Sequence, residues 1–256
     1  MRTLFFLVLT ILASTCSSNI GNPEKMLREK LESGEDIYFE DVVFEGDIDV
    51  TNWLPSNLVS EGIYQVSVRS SVTFKNCTFN GKVTSYKRTD DGKTIFTTFQ
   101  SNLSFIGCTF NEEVNLRTSS IQGRCDFTGS YFEKKANFEE CLFFQNAYFK
   151  DCAFHEELRF QNSVFMQKAH FMSIELDANG SFQGSTFHMT AQFSNIKSYG
   201  YADFSLINYR SSCLFNYSEF NDRSTFSSSV FMHWADFISV KFNASEMSNC
   251  RFFGTV

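Results

Sequence analysis

Residues 125–165 read CDFTGSYFEKKANFEECLFFQNAYFKDCAFHEELRFQNSVF, and the spacing of their aromatic residues decides the fold. Phe127, Phe132, Phe138, Phe143, Phe149, Phe154, Phe160 and Phe165 follow one another at alternating steps of 5 and 6 residues. Outward from this stretch the beat continues as two interleaved series, each with a step of 11. One runs Phe105, Leu116, Phe127, Phe138 and onward to Phe237; the other runs Phe99, Phe110, Ile121, Phe132 and onward through Ser198, Tyr209, Phe231 and Phe242 to Phe253. A fixed period of this kind marks a repeat architecture. An 11-residue period also occurs in right-handed helical coiled coils. That geometry fails here, because two positions 5 apart lie about 140° apart around a helix and form no common seam. The segments also lack good helix formers. The chain is therefore expected to be a β-solenoid.

Two residues before most of these large positions stands a small one: Cys125, Ala136, Ala147, Ala169, Gly180 and Ala191 in one series, Cys108, Ser130, Cys141, Cys152, Ser163 and Ser185 in the other. Alternate residues of a short strand point the same way. A large residue can thus fill the axis of a narrow coil while the small one fits beside a corner.

Units such as ANFEE, CDFTG and ADFSL resemble the pentapeptide-repeat family, whose units look like A-(D/N)-(L/F)-x-x. The resemblance covers about residues 37–253 and is closest to a Phe-centred variant with alternating five- and six-residue units. It implies an all-β fold, a right-handed quadrilateral β-helix. Four faces then take 22 residues per coil, and one corner in each half-coil is wider than the other. That register stacks Phe127, Phe149, Phe171, Phe193, Phe215 and Phe237 in one column and Phe138, Phe160, Phe182, Phe204 and Phe226 in another. Coils are expected about 4.8 Å apart, roughly seven of them over about 35 Å. Each buried Phe contributes ~1.5–3 kcal/mol, which accounts for 32 Phe in 256 residues without a ligand.

The flanks carry other signals. Residues 1–15, MRTLFFLVLTILAST, have one Arg, an apolar run and small residues, the layout of an export signal peptide too short for a comfortable membrane span. Cys16 follows where a bacterial lipobox places its lipidated cysteine, and residues 16–21 read as a tether. Lipidation at Cys16 would make the protein a membrane-anchored lipoprotein of the bacterial envelope; without it the protein would be secreted. Residues 22–34, NPEKMLREKLESG, are expected to form a short capping helix over the first coil, with Asn22 as N-cap, Pro23 in the first turn, Gly34 as stop, and Met26, Leu27 and Leu31 on one face. Two interruptions, near 51–66 and 82–93, read as insertions, the second as a hairpin around Asp91-Gly92. Loops on a rigid scaffold often carry binding.

No catalytic, cofactor-binding or metal-ligating set emerges, and no cofactor is expected. Apart from Cys16, the cysteines sit in the small inward slot, where a thiol packs as a small hydrophobe. No two of them are 22 apart, so no stacked pair is expected. His155, His170, His188 and His233 share no column. Glu112, Lys134 and Glu156, like Glu113, Lys135 and Glu157, alternate in sign at 22-residue spacing and read as charge ladders. With a net charge of −7 and no basic run, direct nucleic-acid binding is not expected. The leading reading is a non-enzymatic structural or protein-interaction solenoid of the cell envelope, its partner a protein or an envelope polymer. Some pentapeptide-repeat proteins imitate duplex DNA and act on type II topoisomerases, an alternative that the export signal opposes. A carbohydrate-active β-helix enzyme is a third, opposed by the missing acid cluster. The aromatic C-terminal stretch Arg251–Val256 suggests a homodimer formed through that end.

Overall fold

A computed structural model describes residues 21–256. The expected signal peptide at 1–15 and the expected lipidation site Cys16, with all but the last residue of the expected tether, lie outside the described residues. From Ile37 onward the chain winds through four flat faces per coil, built mostly from two-residue strands paired in parallel with the coils above and below. Face 1 stacks nine strands from Ile37–Glu40 to Ala235–Asp236. Face 2 contains Tyr131–Phe132, face 3 Ala136–Asn137 and face 4 Leu142–Phe143, each with its equivalents along the rod. Faces 2 and 3 merge into one sheet because the strand Glu219–Thr225 runs round their shared corner. Its start pairs with Lys197–Ser198 and its end with Ala202–Asp203. Through the regular part each strand pairs with the one 22 residues on, as in Cys125↔Ala147 and Phe132↔Phe154.

The inward columns are the core. In the Phe127 column successive rings stack at 4.9–5.2 Å, and in the Phe138 column at 4.8–5.2 Å. Rings of neighbouring faces meet edge to face, as Phe149 and Phe160 do at 4.9 Å and 82°, so each ring has both preferred aromatic geometries. Where the central residue shrinks, the slot grows. Ile174 stands two residues before Leu176 and Ile196 two before Ser198, and all four are buried.

The corners alternate. After faces 1 and 3 the chain makes a tight turn whose third residue has positive φ: Gly129, Glu140, Asp151, Asn162, Ser173, Gly184, Asn195, Leu206 and Tyr217 in succession. The turn is closed by bonds such as Ser130 N–H to the Phe127 carbonyl, 3.1 Å. After faces 2 and 4 three residues make a wider bend, which takes up the sixth residue of the longer step. The regular step breaks once near the C-terminal end. A register shift between Phe220 and Arg223 leaves Phe242 over Phe220 but sets Ser245 over Ser224, 21 residues apart. Consequently Phe252, and not Phe253, stacks on Phe231, at 4.6 Å. Phe253 points outward and is exposed, a correction to the sequence register.

At the other end α1 (Pro23–Ser33) lies against the first coil. Asn22 Oδ1 accepts the Lys25 N–H at 2.7 Å, and Gly34, with φ 77°, donates its N–H to the Lys30 carbonyl. Leu27 and Leu31 are buried beneath the helix, whereas Met26 lies off that face and is exposed. The Glu24 carboxylate accepts the Gly46 N–H at 2.9 Å, tying helix to coil.

Candidate functional surfaces

The two interruptions of the repeat do not hang as separate loops. After the short α2 (Val50–Trp53), Ser56–Ser60 and Ile63–Val68 form an antiparallel hairpin. Tyr86–Arg88 and Thr94–Phe99 form another, closed by the Thr89 N–H to Lys93 carbonyl bond and by Gly92 at φ 85°. The hairpins join because Thr94–Phe99 pairs in parallel with Ile63–Val68 over six residues. The result is a four-stranded flap continuous with face 4, carrying exposed Leu58, Val59 and Ile63. The sequence pattern marked the irregular stretches but not this pairing, since its register spans both insertions.

Several of the cysteine slots are explained by hydrogen bonding as well as size. In the series that precedes faces 2 and 4, the Ser and Cys slot side chains reach one coil back to a turn carbonyl. Ser130, Ser163, Ser185, Ser218 and Ser229 donate to the carbonyl 25 residues earlier at 2.6–2.8 Å. Cys141 and Cys152 make the same contact through sulfur at 3.0 and 2.9 Å. Burial pushes the Cys152 thiol up to about 12 and the Cys141 and Cys213 thiols higher still, far from a reactive thiolate. One sequence inference needs correction. The 82–93 insertion makes the local register 31, so Thr109 pairs with Thr78 and Cys108 stacks on Cys77. The Cys77 sulfur and burial together raise the Cys108 thiol. Both are free thiols.

Outward side chains form ladders along the rod. On face 2 Lys134 meets Glu156 at 2.9 Å, and Lys241 meets Glu219 at 2.5 Å; Lys135 meets Glu157 at 3.7 Å at the neighbouring corner. No salt bridge joins Glu112 to Lys134 among the described residues, so that ladder begins one coil later. His155 pairs with Asp177 on the same face. On face 1 the Arg124 guanidinium lies 4.3 Å over Tyr148, which stacks on His170 at 4.6 Å, and His170 Nδ1 meets Gln192 Oε1 at 2.5 Å. Burial holds His170 below its ordinary value. On face 3 Glu139 lies between Arg117, at 3.3 Å, and Arg159, at 3.7 Å. The four histidines are thus dispersed over the rod, and no group of three His, Cys, Asp or Glu converges on a metal geometry among the described residues.

The nine copies of the pentapeptide repeats family model fall on residues 127–173, within the longer part of the rod where the 22-residue register is unbroken. No curated protein and no solved structure matches the chain. The same parallel pairing and inward Phe stacking extend to both sides of the matched residues, so residues 127–173 carry pentapeptide repeats within one continuous β-helix.

Proposed function

We propose that the protein is a non-catalytic interaction scaffold, exported and held at a bacterial membrane through Cys16, that presents its rigid faces to a protein or an envelope polymer. The observation that carries this reading is the filled interior. Inward positions from Phe39 to Phe231 are occupied by buried, stacked side chains, so recognition falls to the outward faces. Their side chains are ordered by ladders of ion pairs and stacked rings, which suits a preorganised binding surface. The acidic residues of face 2 are interleaved with Lys134, Lys197 and Lys241 and paired to two of them, unlike an unbroken anionic row. The topoisomerase-directed DNA mimic therefore stands second. The exposed Phe252 and Phe253 at the C-terminal end support self-association there as a further part of the proposal.

The test is the intact mass of the N-terminal peptide recovered from the native membrane fraction. Acylated Cys16 as the first residue is the expected result. An unmodified chain beginning at Met1 in the cytosol would overturn the compartment and bring the DNA-mimic reading forward.

A further inference from the structure

Charge is sorted between opposite faces of the rod. Equivalent five-residue windows of face 4 and the corner after it read SIQGR, LFFQN, VFMQK, TFHMT, NYRSS, VFMHW and RFFGT, beginning at 120, 142, 164, 186, 208, 230 and 251. They contain four Lys or Arg and no Asp or Glu. The matching windows of face 2 read TFNEE, YFEKK, AFHEE, ELDAN, KSYGY, EFNDR and KFNAS, with nine Asp or Glu against five Lys or Arg. On face 4 and its corner the outward row is also apolar: Phe144, Met189, Met232, Trp234 and Phe253 are exposed. Lys168, Arg210 and Arg251 make no salt bridge among the described residues.

We infer that face 4 is a docking surface for an anionic lipid bilayer, on which the rod lies lengthwise. The combination is what an interfacial surface needs: aromatic and thioether side chains to enter the headgroup region, unpaired cations beside them, and no carboxylate to be repelled. The seven windows span about 29 Å at ~4.8 Å per coil, a flat strip that a bilayer can meet along its whole length. The net charge of −7 does not oppose this, because the acidic face points away and the charge separation orients the rod. A second copy is a poorer occupant. Face 2 is the acidic surface that could complement face 4, yet Glu156, Asp177 and Glu219 are engaged by its own lysines and histidine, five Lys or Arg are interleaved with its acids, and it offers no matching apolar row. The inference rests on the reading that the protein works at a membrane, but not on acylation of Cys16.

The experiment uses the full chain carrying Cys16→Ser and Trp53→Phe, so that Trp234 is the only fluorophore of its type. Vesicles of phosphatidylcholine alone are compared with vesicles containing phosphatidylglycerol. Binding through face 4 shifts Trp234 emission to shorter wavelength with the anionic vesicles only, whatever the apolar residues 4–13 do. Replacing Lys168 and Arg210 by Ser weakens partitioning roughly 30-fold, and added salt has the same direction of effect. Lys197→Glu on face 2 changes partitioning little. Matching circular dichroism melts show that the variants fold. An unchanged Trp234 spectrum, equal response to neutral vesicles, or indifference to Lys168 and Arg210 would overturn the inference. The mass of the Cys16 peptide tests the anchor separately, so either reading can fail without the other.

Discussion

Substitutions at Ser163 test whether the slot is defined by hydrogen bonding or by size alone. Its hydroxyl is fully buried, donates to the Phe138 carbonyl at 2.7 Å and accepts the Cys141 N–H at 3.2 Å. Ser163→Ala removes both bonds. The two backbone groups still face each other across the turn at 3.3 Å, so one poor bond survives. The expected loss is then about 1–3 kcal/mol, the cost of leaving a buried polar group short of a partner. At about 2–4 °C per kcal/mol for a chain of this size, the middle of that range lowers Tm by about 6 °C. Ser163→Cys should lower it by less than about 2 °C, because Cys141 and Cys152 already bond turn carbonyls from equivalent slots. Thermal unfolding followed by far-ultraviolet circular dichroism in reducing buffer separates the two. An alanine variant as stable as the parent, or a cysteine variant as damaged as the alanine one, would refute the reasoning.

Three further outcomes are expected. Tyr209 stands buried in a column of Phe with no protein partner for its hydroxyl, so Tyr209→Phe should stabilise by roughly 1–2 kcal/mol in equilibrium denaturation; a loss of stability would mean that the hydroxyl is satisfied. Leu206 holds φ at 59° with its side chain exposed, and Leu206→Asn should raise stability by about 0.5–1 kcal/mol, since Asn tolerates the left-handed region; a lower melting temperature would count against strain at that turn. Burial raises the Cys152 thiol from 9.0 to about 12, so its contribution is complete below pH 9 and lost as pH rises toward 12, the unfolded chain ionising first. Melting temperature should therefore fall from pH 9 upward, and Cys152→Ser should flatten that fall; an identical profile in the variant would exclude the thiol as its source.

Legibility differed between the interior and the surface. The lumen of a coil is narrow and closed, so a large inward residue and a small slot residue must recur at each face, and Phe127, Phe132, Phe138 and Phe143 announce this in one dimension. Composition carried less at the surface, where no steric rule links an outward residue to its neighbour in sequence. Cys77 and Cys108 are 31 apart and read as unrelated, yet the insertion brings one over the other. The missing residue that moves Phe253 out of its column is hidden likewise, because the two-residue corner Asn243-Ala244 looks in sequence like any other corner.

Period, strand type and the content of the core were determined by the sequence alone, because they follow from local alternation repeated under one steric constraint. Tertiary structure alone decided what depends on which coil lies on which: the flap made of two distant hairpins, the stacked thiols, the ladders, and the exclusion of carboxylates from face 4 while they gather on face 2. Those features arise from neighbours 20 or more residues apart, a distance at which the linear pattern holds no contact information until the chain has wound.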